Sequence, residues 1–398
     1  MPLEKPRHIR YWQRCHSTLL PAHYTSHDST RMTLAYFITS ALTLLSTPSA
    51  PLLSPADKAA LRAWVLSLQH PNGGFAGSPT HLLPRARYHL PTAAASDANL
   101  AATYFALLLL AIAADEDGCA FAGVDRRLTL RWLRRLQRPD GSFGEVADGR
   151  GGVSGGRDMR YCYLAACIRW CLRGDVKEGD DAWVEDIDVD GLVGHIRRAQ
   201  TYDGGMGESS QHESHAGYAY CAIAALSLLE RPFAESSEPP PRVLEKGIPS
   251  VPALLRFLVG RQLAYIDPQD SEGDTDNTTG CDELGVSCEH VGFNGRWNKS
   301  VDTCYCWWVG GALKILGHEN LINTGPSRAF LLDKTQHIVG GFGKHPGSPP
   351  DAYHSFLGLA ALATMGDEEL GGFDAALCAP ESVVRRIEEG RAQLLRRQ

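Results

Sequence analysis

Leu61-Arg-Ala-Trp-Val-Leu-Ser-Leu-Gln69, followed by Gly73-Gly74-Phe75, is the stretch on which the fold turns. Its apolar residues recur at helical spacing, the Gln closes the periodic run, and the paired glycines mark a turn. The unit returns. Leu130-Arg-Trp-Leu-Arg-Arg-Leu-Gln137 leads to Gly141-Ser142-Phe143, Val193 to Gln200 precedes Gly204-Gly205-Met206, and Leu331 to Gln336 precedes Gly340-Gly341-Phe342. Leu255 to Gln262 reaches its Gly292-Phe293 only after an interruption. The glutamines lie roughly 60 to 70 residues apart, too long for common solenoid repeats and right for one helical hairpin with its connections. Each turn runs into a more apolar helix, such as Ala216 to Leu229 or Ser355 to Met365. With the apolar helices inward and the others forming an outer ring, the stack closes into an all-α domain over 1–398, an α/α barrel, or toroid, of helical hairpins. The starts of the inner helices then meet at one end, around a cavity.

Two segments break the pattern. Residues 266–290 carry eight acidic residues and no Lys or Arg, which predicts a solvated, disordered insertion. Cys281 and Cys288 within it have no partner pair at metal-site spacing nearby. Residues 232–249, rich in Pro, Ser and Glu, read as a surface linker. At 398 residues, 43% hydrophobic and 21% charged, the chain can bury a large core, and a net charge of -7 argues against nucleic acid as a partner. Several of the eleven cysteines (Cys162, Cys167, Cys171, Cys221) sit in apolar helical runs, where reduced thiols pack as small hydrophobes, so a cytoplasmic setting is expected. The N-terminus lacks the apolar core of a signal peptide. The most apolar run, Leu100 to Ala114, falls short of the roughly 20 residues of a membrane span and reads as a buried helix. The chain ends in Arg396-Arg397-Gln398 without a C-terminal Cys box, so it is not expected to be lipidated itself.

Val301-Asp302-Thr303-Cys304-Tyr305-Cys306-Trp307-Trp308 and Asp351-Ala352-Tyr353-His354 carry the chemistry. Asp302 and Cys304, two apart where an apolar helix begins, and His354, at the start of a second, offer three zinc ligands and no fourth, the pattern of an open catalytic position. Spacing alone better accommodates a helix-capping Asp, a buried thiol and a core histidine. Arg296 and Lys299, in Gly295-Arg-Trp-Asn-Lys299, precede Asp302, while His215 opens an earlier apolar helix. With Tyr305 they compose an anion pocket able to hold a leaving diphosphate, or else a solvated turn pairing with the acidic insertion.

The glycine-ended hairpins, Gly-Arg-x-Asn-Lys-x-Val-Asp-x-Cys-Tyr at 295–305 and Asp-x-x-His at 351–354 resemble the β subunits of protein prenyltransferases, from about Arg7 to about Gly366. The resemblance implies a catalytic zinc held by Asp302, Cys304 and His354. It implies a diphosphate site at His215, Arg296, Lys299 and Tyr305, the last grouped with the catalytic residues. It further implies an isoprenoid and peptide site including Arg160, Phe37 and Trp308, and transfer of an isoprenoid to a Cys near a substrate's C-terminus. An obligate α subunit, forming a heterodimer, comes with it.

Within the family, Thr33 stands where farnesyltransferases carry a bulky Trp, so a twenty-carbon chain fits. Lys344 stands where they place an Asp that helps bind magnesium, so magnesium is not expected to be required. The segment 7–15 is also similar to the type I geranylgeranyltransferase β subunit. The expected substrates are therefore geranylgeranyl diphosphate and CaaX proteins ending preferably in Leu, such as Rho-type small GTPases. Tyr353, shared with farnesyltransferases, and Trp307-Trp308, similar to the Rab-specific enzyme, leave those sub-families open. A terpene cyclase of the squalene type shares the Gln-and-glycine hairpins but needs an Asp-rich protonation motif, which is found here only in the insertion. A non-catalytic helical scaffold would leave the three-ligand site unexplained.

Overall fold

Antiparallel backbone bridges join each repeat Gln to the bulky residue beyond its turn: Gln69 to Phe75, Gln137 to Phe143, Gln200 to Met206, Gln262 to Phe293 and Gln336 to Phe342. The computed structural model describes residues 1–89, 97–115, 118–233, 242–266 and 288–396. Its helices pair into six hairpins. In chain order these are α1 (Lys5–Ser17) with α2 (Arg31–Leu45), α3 (Pro55–Ser67) with α4 (Leu100–Ile112), and α5 (Arg126–Arg135) with α6 (Met159–Leu172). They continue with α7 (Val189–Arg197) and α8 (Ala216–Glu230), then α9 (Val251–Val259) and α10 (Thr303–Ile315). The last is α11 (Thr324–Ala329, extended by a π-helical turn, Phe330–Thr335) with α12 (Ala352–Thr364), before the terminal α13 (Glu381–Arg396). The first hairpin lacks the Gln and glycine signature and was not legible as a repeat.

The second helix of every hairpin is apolar almost all round, as a helix buried on every side must be. These six pack in sequence, α2 on α4, α4 on α6, α6 on α8, α8 on α10 and α10 on α12, and α12 returns to α2. The barrel is therefore closed. Its far end is stoppered by the segment after α12. Tyr36, Tyr104 and Tyr220, buried on three inner helices, donate their hydroxyls to the carbonyls of Cys378, Leu377 and Ala375 at 2.5, 2.5 and 2.7 Å. A buried phenol needs such a partner, so the tyrosines specify where the stopper sits.

The glutamines act as clasps between hairpins. Gln137 accepts from Asp188 N and donates to Asp188 O, both at 2.7 Å, just before α7. Gln200 treats Ser250 before α9 in the same way, at 2.8 and 2.9 Å. Gln69 reaches Asp125 N and Gly123 O, and Gln262 reaches Asn323 N and Leu321 O. The fifth, Gln336, accepts from Glu4 N at 2.8 Å and lies 3.0 Å from His8 Nε2, which joins the last hairpin to the first. Each clasp satisfies backbone groups that a helix start leaves orphaned. The first turn glycine lets the next outer helix close in: a Cβ on Gly141 would lie 1.9 Å from Gly191 O, and one on Gly340 2.2 Å from Arg7 O. Both adopt positive φ, which also favours glycine.

The two interruptions resolve differently. Residues 267–287 of the acidic insertion lie outside the described residues, but its flanks pair as strands, Gln262–Ala264 with Val291–Phe293. Those flanks meet at the position where the other units carry their glycine turns. The four cysteines named in the helical runs are free and buried, as expected, while Cys288, at the edge of the insertion, is disulfide-bonded. Of the 232–249 stretch, residues 234–241 lie outside the described residues, and the described part is not all linker. Val243–Gly247 forms a helical turn with Val243, Gly247 and Ile248 buried, because a small residue at 247 fits against Leu226.

The ring-closing clasp carries a pH signature. His8 is fully buried, receives Gly341 N–H at Nδ1 (3.2 Å) and faces Gln336 through Nε2, so it is neutral with its proton on Nε2. Burial, only partly offset by the bond to Gln336, lowers its pKa to about 4. The unfolded chain binds this proton near pH 6.5 and the folded one near 4, so stability is complete above 6.5 and falls as pH drops through that window, by up to about 3 kcal/mol. Denaturant midpoints measured between pH 7.5 and 4.5 should show this fall, and His8→Gln should flatten it. An unchanged slope in the variant would rule out His8 as its source.

Candidate metal centre and anion pocket

Six inner-helix N-termini gather at the open end of the barrel, and their residues are arranged by capping. Asp302, buried, is the N-cap of α10 and accepts Cys304 N–H at 2.8 Å; His215 caps α8 through Nδ1 and Gly217 N (3.0 Å); Asp351 caps α12 through His354 N (2.9 Å). Capping therefore does not preclude ligation at Asp302. The same carboxylate lies 3.3 Å from His354 Nε2, and one ligand atom each of Asp302, Cys304 and His354 falls within 4.8 Å of the others.

This donor set fits a divalent, zinc-like cation. It combines a thiol, an imidazole and a carboxylate, two of them buried, with His354 only 12% exposed. Asp351 Oδ2 sits 2.6 Å from His354 Nδ1 and fixes the ring so that Nε2 faces the cluster, the supporting contact that metal-binding histidines ordinarily have. Burial acts to lower the His354 pKa, but the bonds to Asp302 and Asp351 outweigh it and raise it to about 9. The two carboxylates therefore draw a positive charge to this point, the charge that a divalent cation would supply. Burial, followed by Asp302, pushes the Cys304 thiol well above its usual range, so a cation is needed to make it a thiolate ligand.

Beside the cluster opens a cavity of about 590 Å³ lined by His215, Arg296, Lys299, Asp302, Tyr305 and Lys344 among others. His215, lowered to about 4 by burial and by Arg296, is neutral; with Nδ1 accepting from Gly217, its proton lies on Nε2, 2.9 Å from the Tyr305 hydroxyl. Tyr305 O–H is thereby free to donate into the cavity. Burial raises its pKa, so it remains a donor at neutral pH. Gly295 permits this: a Cβ there would lie 2.2 Å from Tyr305 Cζ. Lys344 Nζ stands 3.8 Å from Asp302 Oδ2, bridging the anion pocket and the metal centre. Helix N-termini add partial positive charge, so the end of the barrel favours a polyanion.

The other sequence-designated residues lie outside the lining of this cavity. Arg160 pairs with Asp158 and stands 6.0 Å over the ring of Tyr218, which does line it. Phe37 stacks on Phe356 (5.1 Å between ring centroids) and approaches Tyr353 (6.1 Å) and Phe105 (6.0 Å). Trp308 donates to the Tyr353 hydroxyl at 3.0 Å and packs edge-on against Tyr220. Thr33, Phe37, Phe105, Trp308 and Tyr353 remain partly exposed although they sit on inner helices. Asp351 and Glu213, which pairs with Arg296 at 2.5 Å, are site residues that sequence reasoning left without a role. For Asp351 a signal existed, its position three residues before His354 at a helix start; for Glu213 there was none.

Residues 3–379 match the family model described as the prenyltransferase alpha-alpha toroid domain. The geranylgeranyl transferase type-1 subunit beta of Arabidopsis thaliana is 32% identical over 92% of this chain and 86% of its own length. The protein farnesyltransferase subunit beta of Pyricularia oryzae is 30% identical over 91% of this chain and 63% of its own. Among solved structures, Candida albicans protein geranylgeranyltransferase-I complexed with GGPP has a chain similar at a TM-score of 0.76 and 26% identity, covering 98% of this chain and 100% of that one. The chain therefore belongs to the prenyltransferase alpha-alpha toroid family, as a β subunit similar to those of the type I geranylgeranyltransferases.

Proposed function

We propose that this chain is the catalytic β subunit of a protein geranylgeranyltransferase type I, transferring geranylgeranyl from its diphosphate to the Cys of a C-terminal CaaX motif, preferably Leu-ending. The observation that carries the reading is the three-donor cluster of Asp302, Cys304 and His354 opening onto a cavity with Arg296, Lys299 and Lys344. Zinc held by the three would take a substrate thiol in its open position and keep it as thiolate at neutral pH. His354, oriented by Asp351, holds its place in that centre. Arg296, Lys299 and Lys344 bind the diphosphate, while Tyr305, backed by His215, donates to it. As the bond to the isoprenoid's first carbon lengthens, these donors neutralise the charge gathering on the leaving diphosphate. The Lys344 ammonium does there what a magnesium ion would otherwise do. Phe37 and Trp308 hold the isoprenoid and exclude water, and Arg160, at the Tyr218 side, meets the peptide. Catalysis takes place in a cytoplasmic heterodimer with a prenyltransferase α subunit, on targets such as Rho-type GTPases.

Chain length is set at Thr33, a small residue on the first turn of α2 that leaves room for twenty carbons. The test uses the co-purified α–β complex, comparing transfer from geranylgeranyl and farnesyl diphosphates to peptides ending in Leu and in Ser. Geranylgeranyl transfer to the Leu peptide should dominate; preferred farnesyl transfer to the Ser peptide would establish the farnesyltransferase reading instead. In the same assay Thr33→Trp should move donor preference toward farnesyl diphosphate by on the order of 10- to 100-fold. An unchanged ratio would mean that Thr33 does not set the length.

A further inference from the structure

The loop that carries Arg296 and Lys299 meets the opposite wall of the anion pocket through Arg296 on Glu213, through Gly295 O, which accepts Ala216 N–H at 2.8 Å, and through Trp297. Its indole N–H donates to Asp203 Oδ2 at 2.9 Å, and its ring covers the guanidinium of Arg261 at 3.9 Å. Arg261 is fully buried, has Phe257 on another side at 4.9 Å, and leaves Nη1 without a hydrogen-bond partner. Trp297 therefore supplies the π face that compensates a buried cation, a contact strengthened where water is excluded. Asp203 also accepts from Ser214 Oγ at 2.6 Å, and Ser214 immediately precedes His215. One carboxylate thus ties together two segments some eighty residues apart, each presenting groups to the same cavity. Within the loop, Asn294 Nδ2 holds Lys299 O at 2.9 Å and Asn298 takes a positive φ of 57°, so the path from Trp297 to Lys299 is a tight turn. Trp297 itself is absent from the cavity lining and 53% exposed, which leaves it free of any direct part in binding and free of the core.

We infer that Trp297, through Asp203 and Arg261, is a positioning residue that sets Arg296 and Lys299 against His215 for binding of a prenyl diphosphate, an inference that rests on the function proposed above. An exposed tryptophan contributing only to packing would affect stability and leave ligand affinity unchanged. A positioning residue acts on the anion. The test is done on the α–β complex, measuring Kd for geranylgeranyl diphosphate and for inorganic diphosphate in wild type, Trp297→Phe, Trp297→Ala and, as a benchmark, Arg296→Ala. Trp297→Ala should raise both Kd values by about 10-fold, with zinc content and peptide KM close to wild type. Trp297→Phe keeps a ring over Arg261 but loses the N–H, and should fall between the two. If Arg296→Ala weakens binding while Trp297→Ala does not, the inference is overturned and the functional reading stands. If wild type binds neither diphosphate, the functional reading itself fails.

Discussion

Cys304→Ser should leave the α–β complex folded, nearly zinc-free and catalytically dead. The serine hydroxyl occupies the same buried space but is a poor ligand for zinc, so only Asp302 and His354 would remain of the three donors. Two effects then multiply. A free thiol leaves only a few per cent thiolate at neutral pH, which costs about 30-fold, and a nucleophile no longer held in place costs about a further 100-fold. The expected loss in kcat/KM is on the order of 10³ or more. Metal analysis by mass spectrometry should give about one zinc per wild-type complex and less than about a tenth of that in the variant. Circular dichroism and the Kd for geranylgeranyl diphosphate serve as controls, since the Arg296 and Lys299 pocket does not include the thiol. Retained zinc together with retained transfer would show that the cluster is not the catalytic centre.

Lys344→Asp should make transfer depend on magnesium. Lys344 lines the anion cavity with its ammonium 3.8 Å from Asp302, so the substitution removes a cation from the diphosphate and places a second carboxylate beside the first. Losing one donor aimed at developing charge commonly costs about 10²- to 10³-fold; the 53% exposed side chain places the expectation near the lower figure. Transfer from geranylgeranyl diphosphate should fall by about 10²-fold in magnesium-free buffer and recover substantially in millimolar magnesium, because a carboxylate with a diphosphate is an oxygen-rich site for that ion. Lys344→Ala should show the fall without the recovery. Wild-type activity that requires magnesium would sink the assignment of Lys344 as its replacement.

Both substitutions act on residues that could be named from the chain alone, but not for the reasons that the structure supplies. The spacing of Asp302 and Cys304 announced two donors at one helix start, while leaving capping and metal binding as rival readings. In three dimensions they are the same geometry: the carboxylate that accepts Cys304 N–H also faces His354. Periodicity showed five glutamines before glycine turns but not what a glutamine does there. Its contacts, Asp188 for Gln137 and Glu4 for Gln336, lie about fifty and more than three hundred residues away, and no local pattern encodes them. The first hairpin was missed for the same reason, since α1 receives the clasp at Glu4 without carrying one. Composition suggested a linker over 232–249; the buried turn Val243–Gly247 departs from it because a few apolar residues within a polar stretch can still pack on the core.

By itself the sequence determined the hairpin repeat and the inward polarity of every second helix, and it nominated the three candidate donors and their cationic neighbours. These follow from side-chain chemistry and periods of a few residues, which any segment carries within itself. Only the tertiary structure decided that the ring closes through Gln336 and His8, that Asp351 aims His354, and that Trp297 joins the two walls of the anion pocket. Those depend on contacts between residues far apart in the chain, whose free energy exists only once the backbone has brought them together.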